Sequence, residues 1–165
     1  MVRSRDGGSA QMLNLATGEM GEPFKVRDGA IQGLALSPDG KTLVSAGRDS
    51  PVMDVWDVTS MKQHTSLRGH NLVLLTLGFS PDGQRLMSSS IGTEAIKVWE
   101  TQSWHQVSAL TGRPGVSLSS PRLLSDGNTI VAQEVEFSTG RKRMRVWQSA
   151  SWEEITAAEA AKPSP

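Results

Sequence analysis

Short apolar runs, each broken by a cluster of Gly, Pro, Asp or Ser, follow one another along almost the whole chain. Runs rich in Leu, Val, Ile, Phe and Trp and separated by Pro-Asp-Gly signals predict short β-strands joined by tight turns. A first set covers Ile31 to Leu36, Thr42 to Ala46, Val52 to Val58 and Gln63 to Leu67, with a further turn at Asp49-Ser50-Pro51. A second set covers Leu74 to Phe79, Arg85 to Ser89, Ala95 to Trp99 and Trp104 to Leu110. In the run ending at Trp99, Ile96, Lys97 and Val98 alternate but the tryptophan follows directly. Both faces of that strand therefore need cover, as in sheets stacked face to face.

The two sets are copies of one unit. Ser37-Pro38-Asp39-Gly40 recurs as Ser80-Pro81-Asp82-Gly83, and Val55-Trp56-Asp57 recurs as Val98-Trp99-Glu100, both at a shift of 43 residues. The same register maps Arg48-Asp49 back onto Arg5-Asp6 and Val55-Trp56 onto Met12-Leu13, and carries Gly69-His70 forward onto Gly112-Arg113. A looser third copy contains Leu124-Ser125-Asp126-Gly127 and Val146-Trp147. From turn glycine to tryptophan the first two copies span 16 residues and the third spans 20, which predicts four extra residues in one loop. A period of this length is the mark of a repeat architecture.

Composition narrows the chemistry. The chain has 165 residues, 37% of them hydrophobic and 21% charged, with 17 Lys+Arg against 17 Asp+Glu, so a folded core is expected and a dedicated nucleic-acid binder is not. It has no cysteine, which excludes disulfides, thiolate zinc sites and cysteine nucleophiles. Neither a long apolar span nor an apolar leader is present, so a cytoplasmic protein without a membrane contact is expected. His64, His70 and His105 have no metal-ligand spacing and no nucleophile or carboxylate partner, so neither a catalytic centre nor a metal site is expected. Asp39 and Asp82 are expected to bond their own turn amides rather than calcium. No glycine-rich loop opens a helix, so no nucleotide or other cofactor is expected. The basic run Arg141-Lys142-Arg143-Met144-Arg145 is placed in the lengthened loop and the start of the following strand. It reads first as a solvated loop and second as a contact for an acidic partner or a phosphate backbone.

Four short strands per repeat, Gly69-His70 before a first strand, two Ser-Pro-Asp-Gly turns, and Val55-Trp56-Asp57, Val98-Trp99-Glu100 and Val146-Trp147-Gln148 closing third strands resemble the WD-repeat β-propeller family. The resemblance implies an all-β fold of antiparallel four-stranded blades. It divides the chain into a partial blade at 1–27, blades at about 28–68, 69–111 and 112–156, and a tail at 157–165 that is a short helix or disordered. Three blades and part of a fourth make an incomplete ring, because propellers close with about 4 to 8 blades.

In that family a histidine, a Ser or Thr, an aspartate and the tryptophan form a structural network within each blade. The corresponding residues are His70, Ser88 and Trp99 in the second repeat, with Gly92 at the aspartate position. The first repeat has Ser45, Asp49 and Trp56, with Arg27 in place of the histidine; the third has Arg113, Ala132 and Trp147. Loops of the family gather on one face, which implies a partner-binding rim of Arg27, Arg48, Arg68, Arg113, Arg141 and Arg143. Trp104 and Trp152 are assigned to core or blade-edge packing. The implied function is a non-enzymatic protein-interaction scaffold, a fragment of a larger propeller completed by missing blades of a longer parent chain or by self-association. The alternatives are a regulatory or sensor propeller appended to a signalling protein such as a protein kinase, a propeller hydrolase, or a nucleic-acid-binding module. A hydrolase needs titratable groups on the first strands, and Ile31 to Leu36 and Leu72 to Phe79 have none.

Overall fold

Each Ser-Pro-Asp-Gly segment closes a turn with its own side chains, and that turn sets the first hairpin of a sheet. In the computed structural model, which describes residues 2–5, 8–90, 96–126 and 128–148, the Asp39 carboxylate accepts from the Lys41 amide at 3.0 Å and the Ser37 hydroxyl at 2.5 Å. Asp82 repeats this with Gln84 at 2.9 Å and Ser80 at 2.5 Å. Gly40 and Gly83 adopt φ of 74° and 72°, the left-handed region that a residue without Cβ enters most readily. Asp126 serves the third copy by accepting from the amides of Asn128 at 3.0 Å and Thr129 at 2.9 Å.

Among the described residues four antiparallel sheets result, every one with its strands in chain order. The first holds β1 (Val2–Arg5), β2 (Ser9–Met12) and β3 (Phe24–Lys25). The second holds β4 (Ile31–Leu36), β5 (Thr42–Gly47), β6 (Met53–Asp57) and β7 (Lys62–Leu67). The third holds β8 (Leu74–Phe79), β9 (Arg85–Ser90), β10 (Ile96–Glu100) and β11 (Gln106–Leu110), and the fourth holds β12 (Val116–Leu123), β13 (Thr129–Glu136) and β14 (Lys142–Gln148). The two complete sheets repeat down to their irregularities. The β4/β5 ladder slips between Ile31 and Gly33 and the β8/β9 ladder between Leu74 and Thr76; before the tryptophan, slips fall between Val55 and Trp56 and between Val98 and Trp99. A bulge adds local twist and re-aims the side chain that follows it.

The hydrophobic clusters lie between sheets. Ala10 and Val26 from the first sheet's side meet Leu43 of β5, with Ile31, Leu34, Leu36 and Trp56 packed around them. Val44, Ala46, Met53 and Val55 of the second sheet meet Leu74, Leu86 and Trp99 of the third. Met87, Ile96 and Val98 of the third meet Leu118, Ile130 and Ala132 of the fourth. Along β5, Leu43 and Ser45 face one neighbour while Val44 and Ala46 face the other, and all four are buried. Ile96, Lys97, Val98 and Trp99 are likewise all buried, which answers the need for cover on both faces.

Two expectations are corrected. The four extra residues of the third copy do not lengthen a loop: the segment 137–141 between β13 and β14 has the same length as 48–52 between β5 and β6. Instead β13 and β14 have 8 and 7 residues where β5 and β6 have 6 and 5, so the hairpin itself is longer and Lys142 to Arg145 lie in a strand. Trp104 does not begin a strand. It occupies the preceding turn with φ 58°, its amide bonded to the Glu100 carbonyl at 2.9 Å, and the strand starts at Gln106. The half-buried Trp104 packs on the cluster between the second and third sheets. Trp152 and the helix anticipated from Ala157 lie outside the described residues.

Gly8 ties the start of β2 to the connection that follows β3. Its carbonyl accepts from the amides of Val26 and Arg27 at 3.0 and 3.2 Å, its φ is 82°, and a Cβ there would stand 2.2 Å from the Arg27 carbonyl oxygen. Because that neighbour is backbone, Gly8→Ala is expected to destabilise the chain by about 1–3 kcal/mol in urea titration. Gly78→Ala is the control, since open space surrounds its Cβ position and that variant is expected to lose little.

Candidate interaction surface

Strand direction sorts the charged residues into two ends. The antiparallel order places the turns 48–52 and 137–141, with the connections leading into β4, β8 and β12, at one end of the sheets. The Pro-Asp-Gly turns lie at the other end, where neighbouring sheets touch. Pro38 Cδ stands 3.5 Å from the Cβ position of Gly83, and Arg85 Nη1 donates to Asn128 Oδ1 at 2.9 Å. The first end carries Arg27, Arg48, Arg68, Arg113 and Arg141 beside Asp28, Asp49 and Glu136, and the second carries Asp39, Asp57, Asp82, Glu100 and Asp126 beside Lys41, Lys62 and Arg85. The charges are mixed at both ends, with basic residues predominant at the first and acidic residues at the second. At the acidic end the Ser37 hydroxyl holds the Asp39 carboxyl below the ordinary carboxylate range, the Ser60 amide does so for Asp57, and the Thr129 hydroxyl does so for Asp126. For Asp82 burial pushes upward, but the Ser80 hydroxyl and Gln84 amide together outweigh it. These carboxylates are therefore occupied by their own turns.

At the basic end the three sheet junctions use different polar arrangements. Between the second and third sheets, the buried Ser88 hydroxyl accepts from Trp99 Nε1 at 2.8 Å and lies 2.7 Å from Nε2 of the buried His70. Gly69 precedes the histidine, and Trp99 stands 3.1 Å from the position a Cβ would take there, so a larger residue would crowd the ring. In the second sheet Trp56 Nε1 donates to Ser45 Oγ at 3.1 Å. Arg27 occupies the place equivalent to His70, and its guanidinium carbon lies 2.1 Å from the Cβ position of Gly47, a space only glycine leaves open. Asp49 is exposed and has no hydrogen-bond partner among the described residues.

The third arrangement is an ion-pair triad. Ala132 stands at the serine position and faces the core beside Ile130, while Glu134, two residues on along the same face, is only 6% exposed. Arg145 Nη1 donates to Glu134 Oε1 at 2.7 Å and Arg113 Nη2 to Oε2 at 3.2 Å, and the Arg145 guanidinium lies 4.9 Å from the Trp147 ring centroid. The hydrogen bond from Arg145 is the largest influence holding the Glu134 carboxyl below its ordinary value, ahead of the opposing effect of burial. Sequence reading missed Glu134. Its signal is a glutamate continuing the stripe Ile130, Ala132 with an arginine on each neighbouring segment.

Of the remaining rim residues, Arg48, Arg68, Arg141 and Arg143 are exposed, whereas Arg27 is half-buried in the first junction. Arg113, Arg141 and Arg143 come together around an open pocket of about 330 Å³ that also touches Glu134 and Glu136. Arg48 and Arg68 belong to other sheets. His64 and His105 are exposed, and Gly92 lies outside the described residues. Among the described residues no three His, Asp or Glu side chains converge as a metal site requires, and no helix is long and apolar enough to cross a membrane.

Four-stranded antiparallel meanders stacked face to face, each with its first strand against the next sheet, are the blades of a β-propeller; the described residues form two four-stranded blades flanked by two three-stranded sheets, an incomplete ring. Residues 21–50 and 61–100 match the WD domain, G-beta repeat, and those two segments fall mainly in the second and third sheets. The fold is also that of a solved structure titled Kuenenia stuttgartiensis Hydrazine Synthase, which superposes with a TM-score of 0.66 at 21% identity over 88% of this chain and 45% of that one. The chain thus spans less than half of that structure, and the likeness concerns fold alone. No curated protein matches the sequence.

Two outcomes follow from the junctions. Ser88→Ala leaves two buried polar groups facing a methyl and is expected to cost about 1–3 kcal/mol in urea denaturation. Ser45→Ala is expected to cost less, because the half-buried Trp56 loses one bond and can reach water. Glu134 has a folded-state value below its ordinary 4.5, so its contribution to stability is present above 4.5 and is lost as pH falls through the lower folded value. In a pH series of urea midpoints, Glu134→Gln should lower stability at neutral pH and flatten the acid-side decline; an unchanged slope would count against the triad.

Proposed function

We propose that the chain is a non-enzymatic protein-interaction scaffold and works as one part of a larger propeller. WD repeats generally mediate protein–protein interaction, which supports the broader half of this reading. The observation that carries the rest is the outer face of the last blade. Val44 pairs with Val55, Met87 with Val98 and Val131 with Val146, so these positions are equivalent in the three blades. Val55 and Val98 are 1% and 6% exposed, but Val146 is 60% exposed; Met53 and Ile96 are fully buried, but the equivalent Met144 is 65% exposed. Wherever a following blade is present these side chains belong to a core. The same chemistry on the last blade is a surface made to receive another sheet.

A hydrolase draws no support from β4 and β8, whose sequences contain no titratable side chain. The arginine-bearing end supplies a second contact surface, with arginine a favoured residue at binding hot spots.

Light scattering tests the reading. The chain is expected to run above the mass of a single 17.8 kDa polypeptide, and Met144→Glu with Val146→Glu to return it to that mass without loss of the β-sheet circular dichroism signal. A stable, monodisperse wild-type monomer would sink it.

A further inference from the structure

Two arginines at the tip of the last hairpin remain unmatched after the structure's own ion pairs are assigned. Both Glu134 oxygens are occupied, by Arg145 and Arg113, and the Glu136 carboxylate accepts from the Thr139 hydroxyl at 2.5 Å. Arg141 and Arg143 are exposed, and among the described residues neither guanidinium has a partner. Together with Arg113, Pro114 and Val116 they line the open pocket at the basic end. Their position follows from the lengthened hairpin, which sets Arg143 directly across the ladder from Glu134 and Arg141 in the turn beyond it.

We propose that this pocket binds the carboxylate side chains of an acidic peptide segment of a partner protein; this rests on the reading of the chain as an interaction module and names the partner's chemistry. Guanidinium forks match carboxylates with two parallel bonds, and the pocket already holds one carboxylate, Glu134, between two arginines. Pro114 and Val116 supply the apolar wall against which an acidic side chain's methylenes lie. A nucleic-acid backbone fits less well. Glu134 and Glu136 line the same pocket and repel a continuous row of phosphates, whereas isolated carboxylates on a flexible peptide can seat beside Arg141 and Arg143 without passing over them.

The test is fluorescence anisotropy of a fluorescein-labelled oligoglutamate peptide titrated with the full chain. Saturable binding that weakens with salt is expected, with the double variant Arg141→Glu, Arg143→Glu losing about tenfold or more in affinity. The control pair Arg48→Glu, Arg68→Glu, exposed at the same end, should change affinity by less than about threefold. No saturable binding at low salt would overturn the proposal, as would equal losses in the two pairs. Oligothymidylate of the same length binding more tightly through Arg141 and Arg143 would also overturn it, in favour of nucleic acid. A chain that associates through Met144 and Val146 yet ignores oligoglutamate would remove the pocket and leave the scaffold reading standing.

Discussion

A sheet whose strands carry apolar residues on both faces is stable only when both are covered, and the structure of this protein is arranged around that requirement. Leu43 and Val44 are adjacent in sequence, point to opposite sides and are both fully buried, one against Ala10 and Val26 and the other in the junction with the next blade. No blade owns a core. Stability is thus shared as nearest-neighbour terms, as in other repeat proteins, and a blade contributes only as much as its neighbours let it bury.

Polar groups at the junctions answer a second problem created by the same packing. Close stacking removes water from the strand ends at which one blade passes into the next, and whatever is polar there must be satisfied within the protein. One junction uses a serine hydroxyl against an indole and an imidazole. Another uses a glutamate between two arginines. The two arrangements do the same task with different groups, one through a hydroxyl shared by two rings and the other through an ion-paired carboxylate.

The architecture was legible because its signals are local. A Pro-Asp-Gly turn bonds to itself, and a tryptophan at constant distance from that turn reveals the period, so β4 and β8 lie where the pattern of Leu, Ile and Phe places them. The third repeat was legible in outline only. Spacing between Gly127 and Trp147 counts residues without saying whether they extend a turn or the strands beside it. Ladder register decides that, and register depends on which side chains find a core. The triad was hidden for the same reason: Arg113, Glu134 and Arg145 lie on separate segments, and only the pairing of β13 with β14 brings Arg145 opposite Ala132, on the glutamate's own face and two residues along from it. Trp104 illustrates a further limit, because its positive φ follows from a turn bonded to Glu100 and not from any preference of tryptophan.

The longer hairpin of the last blade has grown by two residues in each strand, and parity makes that growth harmless. Side chains alternate with a period of two, so a paired insertion returns every later residue to its former side, and Ile130, Ala132 and Trp147 keep their places against the neighbouring blade. A single inserted residue would have turned one of those strands inside out. Blade height can therefore change in quantised steps while the packed interior is conserved, which separates the evolution of the crest from that of the foundations. Arg141 sits on such a crest, beyond the pair of Val135 and Lys142, which already lies one step past the level at which β5 ends in Gly47.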